Sequence, residues 1–307
     1  MNTRSWIERL PRLSSVVLRA GLTAPARLLR PPLAARGWRA RFTARGVHLM
    51  REQREIWIRL ADIYDLLLKL DQVLDRAIFV PAAGREVADL RGPARFSIKQ
   101  TGDQFWLQHL AELQDPVEGY LLRGAPVPGA RVFDAGAFCG QFAIVAARRV
   151  GPGGTVIAFE PDARNREYLE RNIREAGLTN VTIWPGGLWS ETGEVEFAAT
   201  GTRSARVAAL ENAAPASDRV PVLSLRDAAA RFGAPDFVKM DIEGGEVEVV
   251  AGAADWLREQ RVRFAIASYH MRAGRATSTY LEPMFRALGY QAATGHPEHL
   301  TTWAWKD

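Results

Sequence analysis

Cysteine is almost absent from this sequence. Cys139 is the only one in 307 residues, which rules out an intrachain disulfide framework and any Cys-rich zinc cluster and fits a reducing compartment. Long apolar runs are missing too. No uncharged stretch approaches the roughly 18 residues that span a bilayer, and Phe142 to Ala147 reads as a short buried face. Leu13 to Leu18 is a short, serine-containing core between Glu8 and Arg19, a poor match to a secretory signal. Acidic residues are scarce only at the start. The first 51 residues hold eleven arginines against Glu8 alone, a charge of +10, whereas the remaining 29 basic and 34 acidic residues leave −5. The basic balance therefore belongs to an N-terminal arm, and a nucleic-acid-binding body is not expected.

That arm admits three readings: an organelle-targeting segment, a segment docking on an anionic membrane surface, and an ordinary solvated surface in an arginine-biased sequence. A cytoplasmic protein, peripheral to a membrane through the arm, is the expected setting. With 47% hydrophobic and 24% charged residues, the rest has the composition of a folded globular protein rather than a disordered one.

Pro25, Pro31, Pro32 and Gly37 predict only short helices in the arm, such as one over 6–20. Ile56, Leu60, Ile63, Leu67, Leu70 and Leu74 then recur at alternating spacings of four and three, which predicts an amphipathic helix. Glu55 with Arg59 and Asp65 with Lys69 add ion pairs in the favourable i, i+4 order. Such a seam serves either a homodimer through residues 56–74 or packing on its own domain. Residues 77–125 read as a small hairpin followed by a helix near Phe105 to Leu113, and Pro126, Pro128 and Gly129 mark a turn into the main domain.

Beyond that turn, strands predicted at 131–135, 155–160, 181–185, 236–240 and 262–268 alternate with helices at 141–150, 163–176, 246–259 and 278–288. This is an α/β pattern, a mostly parallel sheet covered on both faces. Tyr290–Thr294 and Leu300–Trp305 predict a closing antiparallel hairpin. Gly193 is expected in a hairpin turn and Thr200 to Arg219 in a polar loop suited to a lid. The expected organisation is a basic arm over 1–51, an amphipathic helix over 52–76, a capping region over 77–128 and the sheet domain over 129–307.

In such a sheet, ligands bind beyond the carboxyl ends of the strands. The first strand ends in Asp134-Ala-Gly136-Ala-Phe138-Cys139-Gly140, and the second in Phe159-Glu160-Pro161, with Glu160 placed to accept ribose hydroxyls. These features suit a dinucleotide or S-adenosyl-L-methionine. Phe138 stands where a dinucleotide loop needs its second glycine, and Asp134 puts negative charge near a pyrophosphate, whereas it would suit the cationic end of S-adenosylmethionine. Cys139 in this loop reads as a small packing residue.

Val132 to Gly140, Ala158-Phe-Glu-Pro161, Leu169 to Asn172, and Phe237-Val-Lys-Met-Asp241-Ile-Glu243-Gly244-Gly245-Glu246 together resemble the FkbM-type S-adenosylmethionine-dependent methyltransferases over roughly Ala130 to His270. The resemblance implies a Rossmann-like methyltransferase sheet and O-methylation of sugars or other natural-product hydroxyls; the N-terminal helical extension expected from the residues lies outside it. The resemblance places cofactor contacts on Asp134, Gly136, Gly140 and Glu160, and Asp241 at the cofactor and acceptor side of the fourth strand with Glu243 beside it. Two positions depart from the family: Phe138 replaces a common Asn, and Ser268 stands where an acidic residue usually precedes the histidine by two.

Methyl transfer needs an acceptor oxygen aligned with the sulfonium and relieved of its proton. His270 is the preferred base, a hydrogen-bonded structural histidine being its competing reading, and Asp241 is the second choice. Glu243 and Tyr269 are candidate acceptor-binding residues, and Trp184 and Trp189 either stack on a ligand or pack in the core. Asp241, Glu243 and His270 are types that can gather Mg2+, but sequence does not bring them together, and no metal is assigned. The expected partner is a small-molecule, glycan or glycolipid acceptor. The alternatives are a non-catalytic cofactor- or partner-binding protein on the same sheet, and a nucleic-acid methyltransferase using the arm.

Overall fold

The computed structural model describes residues 23–43, 46–96, 102–107, 116–198, 206–207 and 218–307. The helix expected over 6–20 and most of the loop expected over 200–219 lie outside them. The chain divides into two units, residues 1–114 and 115–307. Among the described residues no helix is long and apolar enough to cross a membrane.

The first unit is built around a sheet, which corrects the expectation of a helical extension. Its elements are α1 (Thr23–Ala35), β1 (Arg39–Thr43), β2 (Gly46–Arg51), β3 (Arg54–Ile58), α2 (Ile63–Arg76), β4 (Val80–Ala82), β5 (Arg85–Leu90), β6 (Ala94–Arg95) and β7 (Gln104–Phe105). Five strands are ordered β1-β2-β3-β5-β4. β3 and β5 run parallel and are joined through α2, as parallel neighbours need a crossover. Residues 23–51 thus form a helix and two strands rather than an arm. Pro31 and Pro32 lie inside α1, whose Leu29 and Leu33 are fully buried, so tertiary packing holds a helix that local preference would interrupt.

The helix expected over 52–76 begins only at Ile63. Ile56 and Ile58 are buried in β3 while Trp57 between them stacks on His48, a period of two that the longer seam concealed. Glu55 accordingly pairs with His48 and Arg85, and Arg59 with Asp62, instead of with each other. The Asp65–Lys69 pair involves a side chain outside those described. On α2, Ile63, Leu66, Leu70 and Val73 are buried within the chain. Phe105, expected to open a helix, sits in a two-residue strand paired with Ala94.

The second unit comprises α3 (Pro116–Leu121), β8 (Arg131–Ala135), α4 (Gln141–Val150), β9 (Thr155–Phe159), α5 (Ala163–Glu175), β10 (Val181–Trp184), β11 (Gly187–Trp189), β12 (Gly193–Ala198), β13 (Arg206–Val207), β14 (Asp218–Ser224), α6 (Leu225–Phe232), β15 (Phe237–Met240), α7 (Glu246–Gly252), α8 (Ala254–Glu259), β16 (Arg263–Ala267), β17 (Met271–Arg272), β18 (Arg275–Ala276), α9 (Ser278–Ala287), β19 (Gln291–Gly295) and β20 (Thr301–Trp305). The main sheet is ordered β10-β9-β8-β15-β16-β20-β19. β10, β9, β8, β15 and β16 are mutually parallel, and β20 is antiparallel to both β16 and β19. This is the predicted doubly wound sheet with its closing hairpin. Its central strands are mostly apolar, as burial on both faces favours, with Asp134 in β8 and Lys239 in β15 as buried charged exceptions. Phe133, Phe159, Phe237 and Phe264 are at most 2% exposed, each burial being worth about 1.5–3 kcal/mol.

Between β10 and β15 lies a small sheet, β11-β14-β12-β13, and Gly193 opens β12 rather than occupying its turn. Ser224 caps the unforeseen α6 by accepting from the Asp227 N–H at 3.1 Å. The helix expected over 246–259 divides at Ala253, next to Gly252, where a Cβ would come within 2.1 Å of the Ser190 carbonyl oxygen.

Candidate functional site

The strand order reverses between β8 and β15, and the polar residues collect beyond the carboxyl ends of the strands on either side. Gly136 leaves β8 with φ +73°, and a Cβ there would lie 1.9 Å from the Asp241 carbonyl oxygen. Glycine is needed because two strand ends touch through their backbones. Gly140 has φ +95°, and its missing side chain makes room for Leu169 of α5. Asn172, one turn on, donates to the Cys139 carbonyl at 2.8 Å. The Leu169–Asn172 segment thus clamps the loop from the next helix. Cys139 is fully buried, as expected of a packing residue.

Phe138 has φ +50°, a left-handed conformation that Asn tolerates and that costs other L-residues roughly 1–2 kcal/mol. Its N–H donates to Glu160 Oε2 at 2.7 Å, while Glu160 Oε1 accepts from Asp162 N at 3.0 Å and Asn165 Nδ2 at 3.4 Å. Burial pushes the Glu160 carboxyl up to about 7 against the opposing pull of those donors. Three of a carboxylate's roughly four acceptor positions are filled, so capacity remains for a ribose hydroxyl.

Asp134, expected as a cofactor contact, lies beneath the loop. Its side chain is fully buried and lies 3.0 Å from Lys239 Nζ, which also donates to the Gly136 carbonyl at 2.7 Å. Burial raises the Asp134 pKa despite the lysine. The pair therefore braces the loop from beneath. Lys239 is the residue that sequence reasoning passed over here, although it stands in the quoted Phe237–Glu246 block.

Across the loop, Asp241 follows β15. Tyr120 of α3 donates to its Oδ2 at 2.9 Å and Tyr269 to its Oδ1 at 3.4 Å. His270 Nε2 lies 3.5 Å from Asp241 Oδ1 and 3.7 Å from Glu243 Oε1. Glu243 is held at φ +59°. Glu246, fully buried, accepts from Ile242 N at 2.9 Å and places Oε1 3.1 Å from His270 Nδ1. Burial works against a charged ring, but Glu246, Glu243 and Asp241 outweigh it and hold the His270 pKa well above the ordinary histidine value.

A second imidazole was not anticipated. His299 Nε2 is 3.5 Å from the Tyr120 hydroxyl and 4.0 Å from Asp241 Oδ2, and its ring meets those of Tyr120 and Tyr269 edge-on. Topology could have suggested it, because β19 runs parallel to β16 and its following Gly-His-Pro-Glu-His segment must emerge at the ligand edge. Ser268 accepts from Thr302 Oγ1 at 2.9 Å and donates to the Leu300 carbonyl at 3.2 Å, so it ties β16 to the His299 loop. Trp303 Nε1 donates to the Gly119 carbonyl at 3.0 Å and helps fix α3, hence Tyr120. Trp184 packs edge-on against Phe159 in the core. Trp189 lies where a Gly245 Cβ would be 2.8 Å away.

The structure thus gathers Asp241, Glu243, Tyr269 and His270 at one edge, with Gly136 in contact and Glu160 beyond the loop. The fold is similar to a methyltransferase FkbM from Methylobacillus flagellatus KT (19% identity, 78% of this chain, TM-score 0.42), although the chain spans only 60% of that protein's length. It is also similar to a SAM-dependent methyltransferase from Aquifex aeolicus (13% identity, 63% of this chain and 95% of that one, TM-score 0.37). A third similar structure is Aeropyrum pernix fibrillarin with natively bound S-adenosyl-L-methionine (13% identity, 61% and 73%, TM-score 0.41). No curated protein matches the chain. The methyltransferase FkbM domain model matches residues 134–292, more than half of the sequence and all of the site except Tyr120 and His299, and the chain therefore belongs to the FkbM methyltransferase family.

Proposed function

We propose that this protein is an S-adenosylmethionine-dependent O-methyltransferase acting on a hydroxyl of a glycan, glycolipid or secondary metabolite. One observation carries the reading: the backbone of the glycine loop touches Asp241, whose carboxylate is ringed by Tyr120, Tyr269, His270 and His299. Cofactor loop and proton-handling groups are thus adjacent, as an in-line transfer to an oxygen requires.

The residues present fit the cofactor. Glu160 has acceptor capacity left for the ribose, and its raised pKa marks a carboxylate that would gain from further donors. Bound at this loop, S-adenosylmethionine supplies an electrophilic methyl group on a positively charged sulfur. The chain's own residues do the rest. Asp241, held by Tyr120, accepts a hydrogen bond from a hydroxyl of the acceptor next to the reacting one and so orients the reacting oxygen. His299 takes the hydroxyl proton at Nε2, whereas His270, with carboxylates facing both ring nitrogens, is drawn toward its charged form and is less suited to that role. The half-buried Tyr269 ring offers an apolar face to a sugar.

Calorimetric titration of S-adenosylmethionine into the full chain and into Glu160→Ala is the first test. Binding that weakens at least tenfold in the variant supports the reading, and absence of binding by the unaltered chain defeats it.

A further inference from the structure

We propose that Asp241, Glu243 and His270 form a binding site for one divalent metal ion of the Mn2+ or Mg2+ class, which holds the acceptor's hydroxyl oxygen. The role in methyl transfer rests on the function proposed above, while the binding itself does not.

The three side chains come from two strand ends, and one potential ligand atom from each lies within 4.8 Å of the others. His270 is the telling member. Its side chain is only 8% exposed, yet neither ring nitrogen makes a hydrogen bond, and Nε2 points between two carboxylate oxygens at 3.5 and 3.7 Å. Neither approach is a hydrogen bond. The separations are close to what two ligands subtend on a common ion, since bonds of about 2.1 Å meeting at 90–110° put ligand atoms roughly 3.0–3.5 Å apart.

The surroundings have the form that metal ligands take. A histidine bound through one nitrogen usually presents the other to a carboxylate, and here Glu246 Oε1 sits 3.1 Å from Nδ1, itself fixed by the Ile242 N–H. Tyr120 holds the far oxygen of Asp241 at 2.9 Å, and Oδ1, which accepts from Tyr269 at 3.4 Å, faces His270 at 3.5 Å. Two carboxylates, with an imidazole that releases its proton as the ion binds, balance a divalent charge. Asp241 and Glu243 side chains are 12% and 17% exposed, so water or an acceptor oxygen can complete the coordination shell. One nitrogen with two oxygens favours Mn2+ over Mg2+, which prefers oxygen alone. The ion would draw electron density from the bound hydroxyl and ease loss of its proton to His299.

The test is titration of chelator-treated full-length protein with Mn2+, followed by electron paramagnetic resonance and without S-adenosylmethionine. One bound ion per chain is expected, with affinity falling at least tenfold in Asp241→Asn and in His270→Ala, and about tenfold or more in Glu246→Gln, whose carboxylate only orients the histidine. Circular dichroism checks that each variant is folded. No Mn2+ bound by the folded unaltered chain, or equal affinity in folded Asp241→Asn and His270→Ala, overturns the proposal. Calorimetry of S-adenosylmethionine in the presence of chelator separates the two claims. Cofactor binding without Mn2+ binding removes the metal site alone, and Mn2+ binding without cofactor binding removes the methyltransferase reading alone.

Discussion

The two halves of the site are built in opposite ways. On the cofactor side, Glu160, Phe138, Asn165 and Asn172 lie within about one β-α-β unit, and the Glu160 carboxylate and both asparagine amide nitrogens bond to nearby backbone or to each other. On the acceptor side, Tyr120, Asp241, Tyr269 and His299 converge from segments up to 179 residues apart, and their contacts are longer, from 2.9 to 4.0 Å. The first half is a receptor whose shape is set before anything binds. The second is a group of ionisable side chains that only the folded chain brings together.

The contrast can be broken most severely at the one point where both halves meet. Gly136→Ala places a Cβ 1.9 Å from the Asp241 carbonyl oxygen in a left-handed conformation, so methyl transfer should fall more than a hundredfold and the thermal midpoint should drop with it. Retained activity at an unchanged midpoint would mean that the halves are independent. Lys239→Met strikes the brace under the loop. It strands a fully buried Asp134, and chemical denaturation should register a loss of about 3–5 kcal/mol, with much of it recovered when Asp134 is also made apolar.

His299→Ala sharpens the comparison from the acceptor side. Turnover should fall about a hundredfold, or roughly 3 kcal/mol, while cofactor affinity measured by calorimetry stays unchanged. A fall in affinity instead would place His299 in the cofactor half. The smallest effect is a pH dependence on the cofactor side. With the Glu160 carboxyl at about 7, S-adenosylmethionine affinity should rise between pH 6 and 8 as the group ionises, by at most about tenfold per unit. Stability runs the other way. The folded state binds this proton more tightly than the unfolded one, so the contribution of Glu160 is full below about 4.5 and is lost as pH rises through about 7. Glu160→Ala should flatten both slopes.

The same division governs what the sequence disclosed. The strands at 131–135 and 181–184 and the helices at 141–150 and 163–175 fall within a residue or two of expectation, because each is a local pattern with its own boundary signals. The glycine loop and Glu160 were legible for the same reason. Tyr120 and His299 were not, since no periodicity announces that a helix before the domain and a hairpin loop near its end will meet at Asp241. The first unit misled through ambiguity of period: Ile56 and Ile63 fit one helical seam, yet β3 ends between them and its Ile56-x-Ile58 alternation belongs to a sheet. Asp134 was recognised by position, but its burial against Lys239 is a fact of packing that no spacing reveals.

The central claim is methyl transfer to an oxygen, and mass spectrometry tests it most directly. Cell extract or a panel of polyhydroxylated acceptors is incubated with the full-length protein and methyl-labelled S-adenosylmethionine, and the products are resolved by the atom that carries the label. The account predicts a labelled methyl ether on a hydroxyl, formed by the unaltered chain and strongly diminished in His299→Ala. Label found on nitrogen, carbon or nucleic acid, or no labelled product from a chain that binds the cofactor, would contradict it.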